Sequence, residues 1–110
     1  MATQAKLSDY GISVGTLPSG PLGKISDVPG VTVGHCTVDT QTQKTGVTVV
    51  MPCADDMFAQ KLPAAACVLN GFGKTAGLVQ IGELGTLETP IALTNTLNVG
   101  LVYDAMVEYM

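Results

Sequence analysis

Hydrophobic and polar positions divide the chain into a turn-rich beginning and a patterned remainder. Residues 1–27 contain repeated glycines and prolines and no periodic apolar run, which predicts an extended lead-in. From Val28 onward, short apolar runs separated by Pro, Gly or polar loops predict the strands and helices of one small domain. We therefore expect a lead-in over 1–27 and one domain portion over 28–110.

Four segments have the apolar pattern of β-strands. In the first, Val33 and His35 share one face and Gly34 lies on the opposite face. The polar run Asp39–Gly46 predicts a hairpin loop after it. The predicted strands are Val31–Val38, Val47–Met51, Ala64–Leu69 and Ile91–Leu93.

Two segments have apolar residues at helical spacing. Residues 78–84 place Leu78, Ile81 and Leu84 on one helical face, and a glycine stop follows. Val99–Met110 has similar spacing and reaches the last residue without a stop signal, so we expect the polypeptide to continue beyond it. Strands and helices together predict an α+β fold.

Composition indicates that a large surface meets a partner. The chain has 110 residues and a mass of 11.3 kDa, which is enough for one domain. Hydrophobic residues make up 46% and charged residues 13%, about half of the roughly 25% charged residues of ordinary soluble domains. With a mean hydropathy of +0.38, the chain has too little polar cover for its size.

Charge and hydropathy exclude two classes of partner. The five lysines are scattered and the net charge is −4, so the clustered cations that bind nucleic acid are absent from the sequence. No apolar run approaches the roughly 20 residues of a membrane span, and the N-terminus lacks the apolar stretch of a signal peptide. We predict no nucleic-acid partner, no membrane partner and a cytoplasmic location.

The cysteines do not form a metal-binding pattern. Cys36, Cys53 and Cys67 are widely spaced, and His35 is the only histidine. Zinc sites require closely spaced Cys and His pairs, so we predict no metal site. We expect the three cysteines to be small, buried, structural residues in a reducing compartment.

A glycine-rich segment, Asn70–Gly77 (NGFGKTAG), joins a predicted strand to a predicted helix. It fails the phosphate-loop pattern, because Val68 occupies the position of the required glycine, and Ala76 departs from the strict dinucleotide pattern. Nucleotide binding therefore remains only a weak alternative. The exposed backbone N–H groups of such a turn suit a carboxylate or an oxyanion, or simply connect two elements.

Polar side chains also collect between the last strand and the last helix. Asn95 offers a donor and an acceptor for a substrate amide or an oxyanion, whereas Thr96 or Asn98 would cap the helix in the structural alternative. Both interpretations remain open. Glu83 and Glu88 could likewise hold a substrate ammonium or form a carboxylate pair, and in the structural alternative they are solvated or capping acids.

No nucleophile in the chain has a visible partner base. Serine occurs only in the turn-rich lead-in, and no base is positioned for any of these serines. We therefore predict no catalytic residue within these residues.

Several motifs occur together in one order along the chain. They are Ile25–His35 (ISDVPGVTVGH), Thr45–Thr48 (TGVT), Asn70–Gly77, Glu83–Ile91 (ELGTLETPI) and Leu93–Thr96 (LTNT). This set resembles the N-terminal part of the self-processing L-aminopeptidase/D-esterase family, which includes the β-peptidyl aminopeptidases.

The resemblance implies a fold, an activity and partners. The fold would be a four-layer α-β-β-α sandwich, of which 28–110 is the incomplete N-terminal portion. The precursor would cut itself before a Ser or Thr, creating a second subunit whose new N-terminal hydroxyl hydrolyses peptide, amide or ester bonds of small peptides or amino amides. No cofactor would be needed, and such pairs would assemble as a homo-oligomer with this chain supplying cleft wall.

The resemblance also implies which residues border the substrate cleft. By their motifs these are Asn70, Gly71, Gly73, Lys74, Asn95 and Thr96, with Asn95 the best candidate for a polar contact. The alternative function is a non-catalytic small-molecule-binding or oligomer-assembly module that uses the same glycine turn and apolar surface.

Overall fold

The computed structural model describes residues 5–110 and combines helices with antiparallel sheets, in agreement with the predicted α+β class. Two 3-10 helices, Leu7–Tyr10 and Ile25–Asp27, lie in the predicted lead-in. The other elements are strands β1 (Thr32–Asp39), β2 (Lys44–Met51), β3 (Leu62–Pro63), β4 (Thr86–Leu87) and β5 (Ile91–Leu93), and helices α1 (Leu78–Leu84) and α2 (Val99–Tyr109).

The end of the lead-in is organised by the carboxylate of Asp27. Asp27 is the half-buried residue of the turn that it closes, and its oxygens accept hydrogen bonds from the backbone N–H groups of Leu22 and Lys24, each at 3.1 Å. A charged acceptor makes such bonds stronger than neutral ones. This part of the lead-in therefore has a fixed local shape without belonging to a sheet.

The main sheet has the order β1-β2-β5, with β2 in the centre. His35 lies opposite Thr48, and Val33 lies opposite Val50, so Val33 and His35 share one face as predicted. Thr48 in turn lies opposite Leu93 of β5. The first and fourth predicted strands are confirmed, the first with its bounds shifted by one residue.

The hairpin between β1 and β2 is tighter than predicted. Only residues 40–43 form its loop, closed by a hydrogen bond from the Thr40 N–H to the Gln43 carbonyl oxygen at 2.8 Å. Residues Lys44 to Gly46, the end of the predicted loop, belong to β2. The polar side chains of Lys44 and Thr45 misled the prediction: Lys44 is exposed and forms an ion pair with Asp39 across the ladder, whereas Thr45 is half-buried.

The predicted third strand, Ala64–Leu69, is wrong. The ladder in this region contains only Leu62 and Pro63, paired with β4, which the sequence pattern missed. One further bond, from the Ala64 N–H to the Gly85 carbonyl oxygen at 2.9 Å, extends the pairing. Beyond Ala64 the run is exposed and has no partner strand in the described residues, and an apolar run without a partner does not form a strand.

Helix α1 has the predicted bounds, and the three apolar residues of its predicted face differ in burial. Leu78 and Ile81 are half-buried, whereas Leu84 is exposed. Gln80 is half-buried instead, because its side-chain amide donates to the Thr86 carbonyl oxygen at 3.1 Å. Gly85 ends the helix with a φ of +65°, in the left-handed region that favours glycine.

Helix α2 lies along β2 on one face of the sheet. Near its start, Leu101 and Val102 share a cavity with Val47, and near its end Tyr109 shares another with Met51. Val47 and Met51 have the same parity in β2, so they lie on the same face. Val102, Met106 and Tyr109 follow one another at helical spacing, and of these Val102 and Met106 are half-buried, whereas Tyr109 is largely exposed.

The opposite face of the sheet is not covered by any described residue of α2. We call this the open face. Two of its large side chains, Ile91 and Leu93, are 42% and 58% exposed. The open face comprises Val33, His35, Thr48, Val50, Ile91 and Leu93.

The described residues bury very little hydrophobic surface. Met57, at 2% exposure, is the one fully buried hydrophobic side chain in the range 5–110. The radius of gyration of 16.3 Å exceeds the roughly 13 Å of a compact chain of this length. The accessible surface of 9204 Å² likewise exceeds the roughly 5,700 Å² of a folded monomer of this mass. The apolar excess in the composition therefore lies at the surface.

Two of the three cysteines contradict the expected burial. Cys36 and Cys67 are exposed and Cys53 is half-buried, and all three are free thiols. Cys36 borders the cavity between the hairpin and α2 rather than a closed core, and Cys67 lies in the unpaired run after β3.

Neither helix of the described part of the chain is long and apolar enough to cross a membrane.

Gly46 allows β1 and β2 to approach each other. A Cβ atom at this position would clash with the carbonyl oxygen of Cys36 and lie 3.2 Å from the Cα atom of Thr37. Since backbone atoms form this contact, no side-chain rotation relieves it. The hairpin would have to open locally to accept any other residue.

We predict that Gly46→Ala lowers the free energy of unfolding by about 1–3 kcal/mol, the usual cost of overpacking. Gly34→Ala is the matched control, because Gly34 lies in the neighbouring strand and a Cβ there meets nothing within 4 Å. Urea unfolding of both variants of the purified protein measures the difference. Equal stability of the two variants would contradict the close approach at Gly46.

Candidate functional site

Two of the sequence motifs meet at the start of β2 and the end of β5. The Thr94 hydroxyl donates to the carbonyl oxygen of Gly46 at 3.2 Å, and the Asn95 side-chain amide donates to the Thr45 hydroxyl at 2.7 Å. These partners are 48 and 50 residues apart in the chain. We call these four residues the motif junction.

Asn95 also shapes the turn into α2. Its side-chain oxygen accepts hydrogen bonds from the backbone N–H groups of Leu97 and Asn98 at 3.0 and 3.1 Å, the pattern of an Asx turn. Asn98 is the N-cap residue of α2, but its side chain makes no capping bond. The alternative in which Thr96 or Asn98 caps the helix is therefore wrong, because Asn95 closes the turn.

A small groove of about 150 Å³ lies beside the motif junction, between the hairpin and α2. Asn95 and Thr45 are among its lining residues, whereas Thr96 is exposed and does not line it. The remaining wall is predominantly apolar. Its apolar lining residues are Cys36, Val38, Val47, Leu101 and Val102.

The glycine-rich loop is exposed along its whole length. Asn70 and Lys74 are exposed, and Phe72 is 94% exposed. A Cβ atom at Gly71 or Gly73 would meet nothing within 4 Å, so no contact within the described residues requires glycine there. The space next to the backbone of Gly71 and Gly73 is therefore open.

The structure brings together only some of the predicted site residues. Asn95 and Thr96 occupy one turn, and Asn70 to Lys74 occupy another. No hydrogen bond described in residues 5–110 joins the two turns, and the groove beside Asn95 has no lining residue from the loop. Cleft formation between the two turns remains a prediction.

A second polar cluster involves one of the two glutamates weighed above. Lys61 Nζ lies 2.9 Å from Glu88 Oε2, 2.8 Å from the Phe58 carbonyl oxygen and 4.3 Å from the Phe58 ring centroid. Pairing of Leu62 with Leu87 makes Lys61 and Glu88 neighbours across the ladder. The sequence pattern could not find this pair, because two-residue strands leave no periodic signal.

The two glutamates lie in different surroundings, and only Glu88 is paired with a cation. Glu88 already has a cationic partner, so it does not form a pair with another carboxylate. Glu83 is exposed on α1. In the range 5–110, no three His, Cys, Asp or Glu side chains lie close enough to hold a metal ion.

Comparison with known proteins identifies the family. The sequence model of peptidase family S58 matches residues 23–110. The chain belongs to peptidase family S58. The matched range includes all four residues of the motif junction and the glycine-rich loop, and it excludes most of the lead-in.

Two curated relatives are β-peptidyl aminopeptidases named BapA. The protein from Sphingosinicella xenopeptidilytica is 36% identical over 110 residues, which covers 92% of this chain. The protein from Sphingosinicella microcystinivorans is 32% identical over 113 residues, which covers 93% of this chain. This family S58 chain spans 27% and 28% of the lengths of these relatives.

Solved structures give the same result for the fold. A β-aminopeptidase from a Burkholderia species superimposes with a TM-score of 0.87 at 44% identity, covering 96% of this chain and 31% of its own. A protein from Pyrococcus horikoshii superimposes with a TM-score of 0.87 at 40% identity, covering 96% of this chain and 32% of its own. The predicted family membership is therefore confirmed.

Proposed function

We propose that this chain is the N-terminal part of a self-cleaving, serine-type aminopeptidase that hydrolyses N-terminal peptide, amide or ester bonds. The observation that carries the proposal is the superposition of nearly the whole chain on a β-aminopeptidase with a TM-score of 0.87. The two relatives that are similar in sequence are named aminopeptidases, which supports the same reaction class.

A four-layer sandwich is the proposed architecture of the whole enzyme. Helix α2 and the main sheet would form the first two layers, and a second sheet would pack on the open face. The support is the difference between the two faces: α2 lies along one, while Ile91 and Leu93 protrude from the other. Apolar side chains on both faces of a sheet are typical of a sheet covered on both sides.

The nucleophile of the proposed enzyme would come from outside these residues. Within the chain, serines occur at four positions in the lead-in. Self-cleavage before a Ser or Thr would release an N-terminal hydroxyl and an α-amino group that serves as its base. The hydroxyl would attack the substrate carbonyl, its proton would pass through the base to the leaving amine, and water would hydrolyse the acyl-enzyme.

In this proposal the two exposed turns border the substrate cleft. Asn70, Gly71, Gly73 and Lys74 would form one border, and Asn95 and Thr96 the other. The open space above Gly71 and Gly73 would let substrate approach the backbone of the first turn. On the other border, Thr96 is exposed in the turn that Asn95 closes.

Denaturing intact-mass spectrometry of the purified protein, with N-terminal sequencing of each species, tests self-cleavage directly. We expect a companion polypeptide that begins with Ser or Thr and co-purifies with these residues, together with hydrolysis of an amino-acid p-nitroanilide. A single uncleaved species without hydrolysis would contradict the proposal. Ligand binding without any hydrolysis would instead favour the non-catalytic binding or assembly module.

The position of Lys74 generates a second prediction. If its loop borders the cleft, Lys74→Met should raise KM for a dipeptide with a free C-terminal carboxylate by about fivefold, since an exposed ion pair contributes up to about 1 kcal/mol. The corresponding dipeptide amide should show no change. The carboxylate effect should also shrink at high ionic strength, because salt screens exposed charges.

Lys6→Met is the matched control for this experiment. Lys6 is also an exposed lysine, but it lies in the lead-in, outside the range that the family model matches. The kinetics of this variant should equal those of the unmodified protein for both substrates. If Lys74→Met behaves like Lys6→Met, the glycine-rich loop does not border the cleft.

A further inference from the structure

We propose that Asn95 is a positioning residue, which acts through Thr45 to fix the turn before α2, and that its side-chain oxygen does not bind substrate. This inference rests on the proposed function, because it assigns a role within the same cleft. It follows from how the hydrogen-bonding groups of Asn95 are used in the structure.

The side chain of Asn95 has little capacity left for a ligand. An asparagine amide has one oxygen, which accepts two hydrogen bonds, and a nitrogen with two N–H donors. Both acceptor positions of the oxygen are taken by Leu97 and Asn98, and one donor is taken by Thr45. The oxygen therefore cannot accept a bond from a substrate ammonium or amide without opening the turn.

Thr45 is a rigid anchor for this side chain. It is a half-buried residue of β2 and is paired with Val38 of β1 in the ladder. The next residue, Gly46, accepts a bond from Thr94. Two consecutive residues of the central strand thus hold two consecutive residues of the turn, which fixes both its position and its direction.

The held turn presents its exposed residues in one arrangement. Thr96 and Leu97 lie at its tip, and Leu97 is 89% exposed. Asn98, at the end of the turn, begins α2 and accepts a hydrogen bond from the Val102 N–H at 3.0 Å. Loss of the Asn95–Thr45 bond should therefore loosen the tip while leaving the helix itself intact.

Hydrogen–deuterium exchange of the purified protein tests the positioning role without using activity. The reporter is the Leu97 amide, which donates to the Asn95 oxygen, resolved from its neighbours by fragmentation in the mass spectrometer. We expect Thr45→Val to speed exchange of this amide about fivefold, the factor for one net hydrogen bond. Thr45→Ser keeps a hydroxyl and should exchange at the original rate.

The Val102 amide is the internal reference, because it belongs to the helical hydrogen bonding of α2. It should exchange equally in all variants. Unchanged exchange of Leu97 in Thr45→Val would overturn the inference, because the anchor would then not hold the turn. Faster exchange of both amides would also overturn it, because the whole helix would have become unstable.

Kinetics of a double-mutant cycle separate positioning from direct contact. Asn95→Ser keeps a hydroxyl that can accept from the turn but cannot reach Thr45. If Asn95 acts through Thr45, Asn95→Ser, Thr45→Val and the double variant should each lower kcat/KM by the same factor of about five. Thr45→Ser should restore the activity of the unmodified protein.

Direct substrate contact by Asn95 predicts a different pattern. Asn95→Ser would then lower kcat/KM far more than Thr45→Val, and the two losses would multiply in the double variant. That result would overturn the positioning role while leaving the proposed function intact. Absence of hydrolysis by the unmodified protein would refute the proposed function, and the exchange experiment would still decide whether Thr45 positions the turn.

Discussion

The apolar character of the open face is the constraint on which the rest of this structure depends. The main sheet has apolar side chains on both faces, and burial of apolar surface is the dominant favourable term in folding. Helix α2 lies along only one face, and a single hydrophobic side chain in the described range, Met57, is fully buried. A second layer on the open face would supply the burial that these residues lack by themselves.

The polar connections of the sheet join distant parts of the chain at one place. Motif segments from distant parts of the chain meet where β2 begins and β5 ends, through Thr45, Gly46, Thr94 and Asn95. Gly46 permits close approach of β1, and the hydroxyl and amide groups fix the turn into α2. A rigid sheet of this kind can hold an exposed turn in a fixed position at the rim of a cleft. Functional sites need such support from rigid elements.

Local patterns predicted the elements that depend on local interactions. Helix α1 has the predicted bounds, because its apolar spacing and the glycine after it are both short-range signals. The run Ala64–Leu69 was predicted as a strand and is not one, because strand formation needs a partner that these residues do not provide. The two-residue ladder of β3 and β4 left no signal in the sequence.

Candidate site residues were predictable as types but not as roles. The sequence left two interpretations open: Asn95 contacts substrate, or the segment is structural and Thr96 or Asn98 caps the helix. The structure gives the turn to Asn95 itself and links it to Thr45, which is 50 residues away and therefore invisible to any local pattern. For the same reason, the ion pair of Lys61 with Glu88 became evident only from the ladder register.

Hydroxyl-radical footprinting of the purified protein would test the proposed second layer most directly. Leu93 on the open face and Leu101 on α2 are residues of the same type, so their intrinsic reactivity is equal. In the described chain they are 58% and 70% exposed. A second sheet on the open face predicts that Leu93 is oxidised several times more slowly than Leu101. Oxidation of the two leucines at rates proportional to these exposures would contradict it.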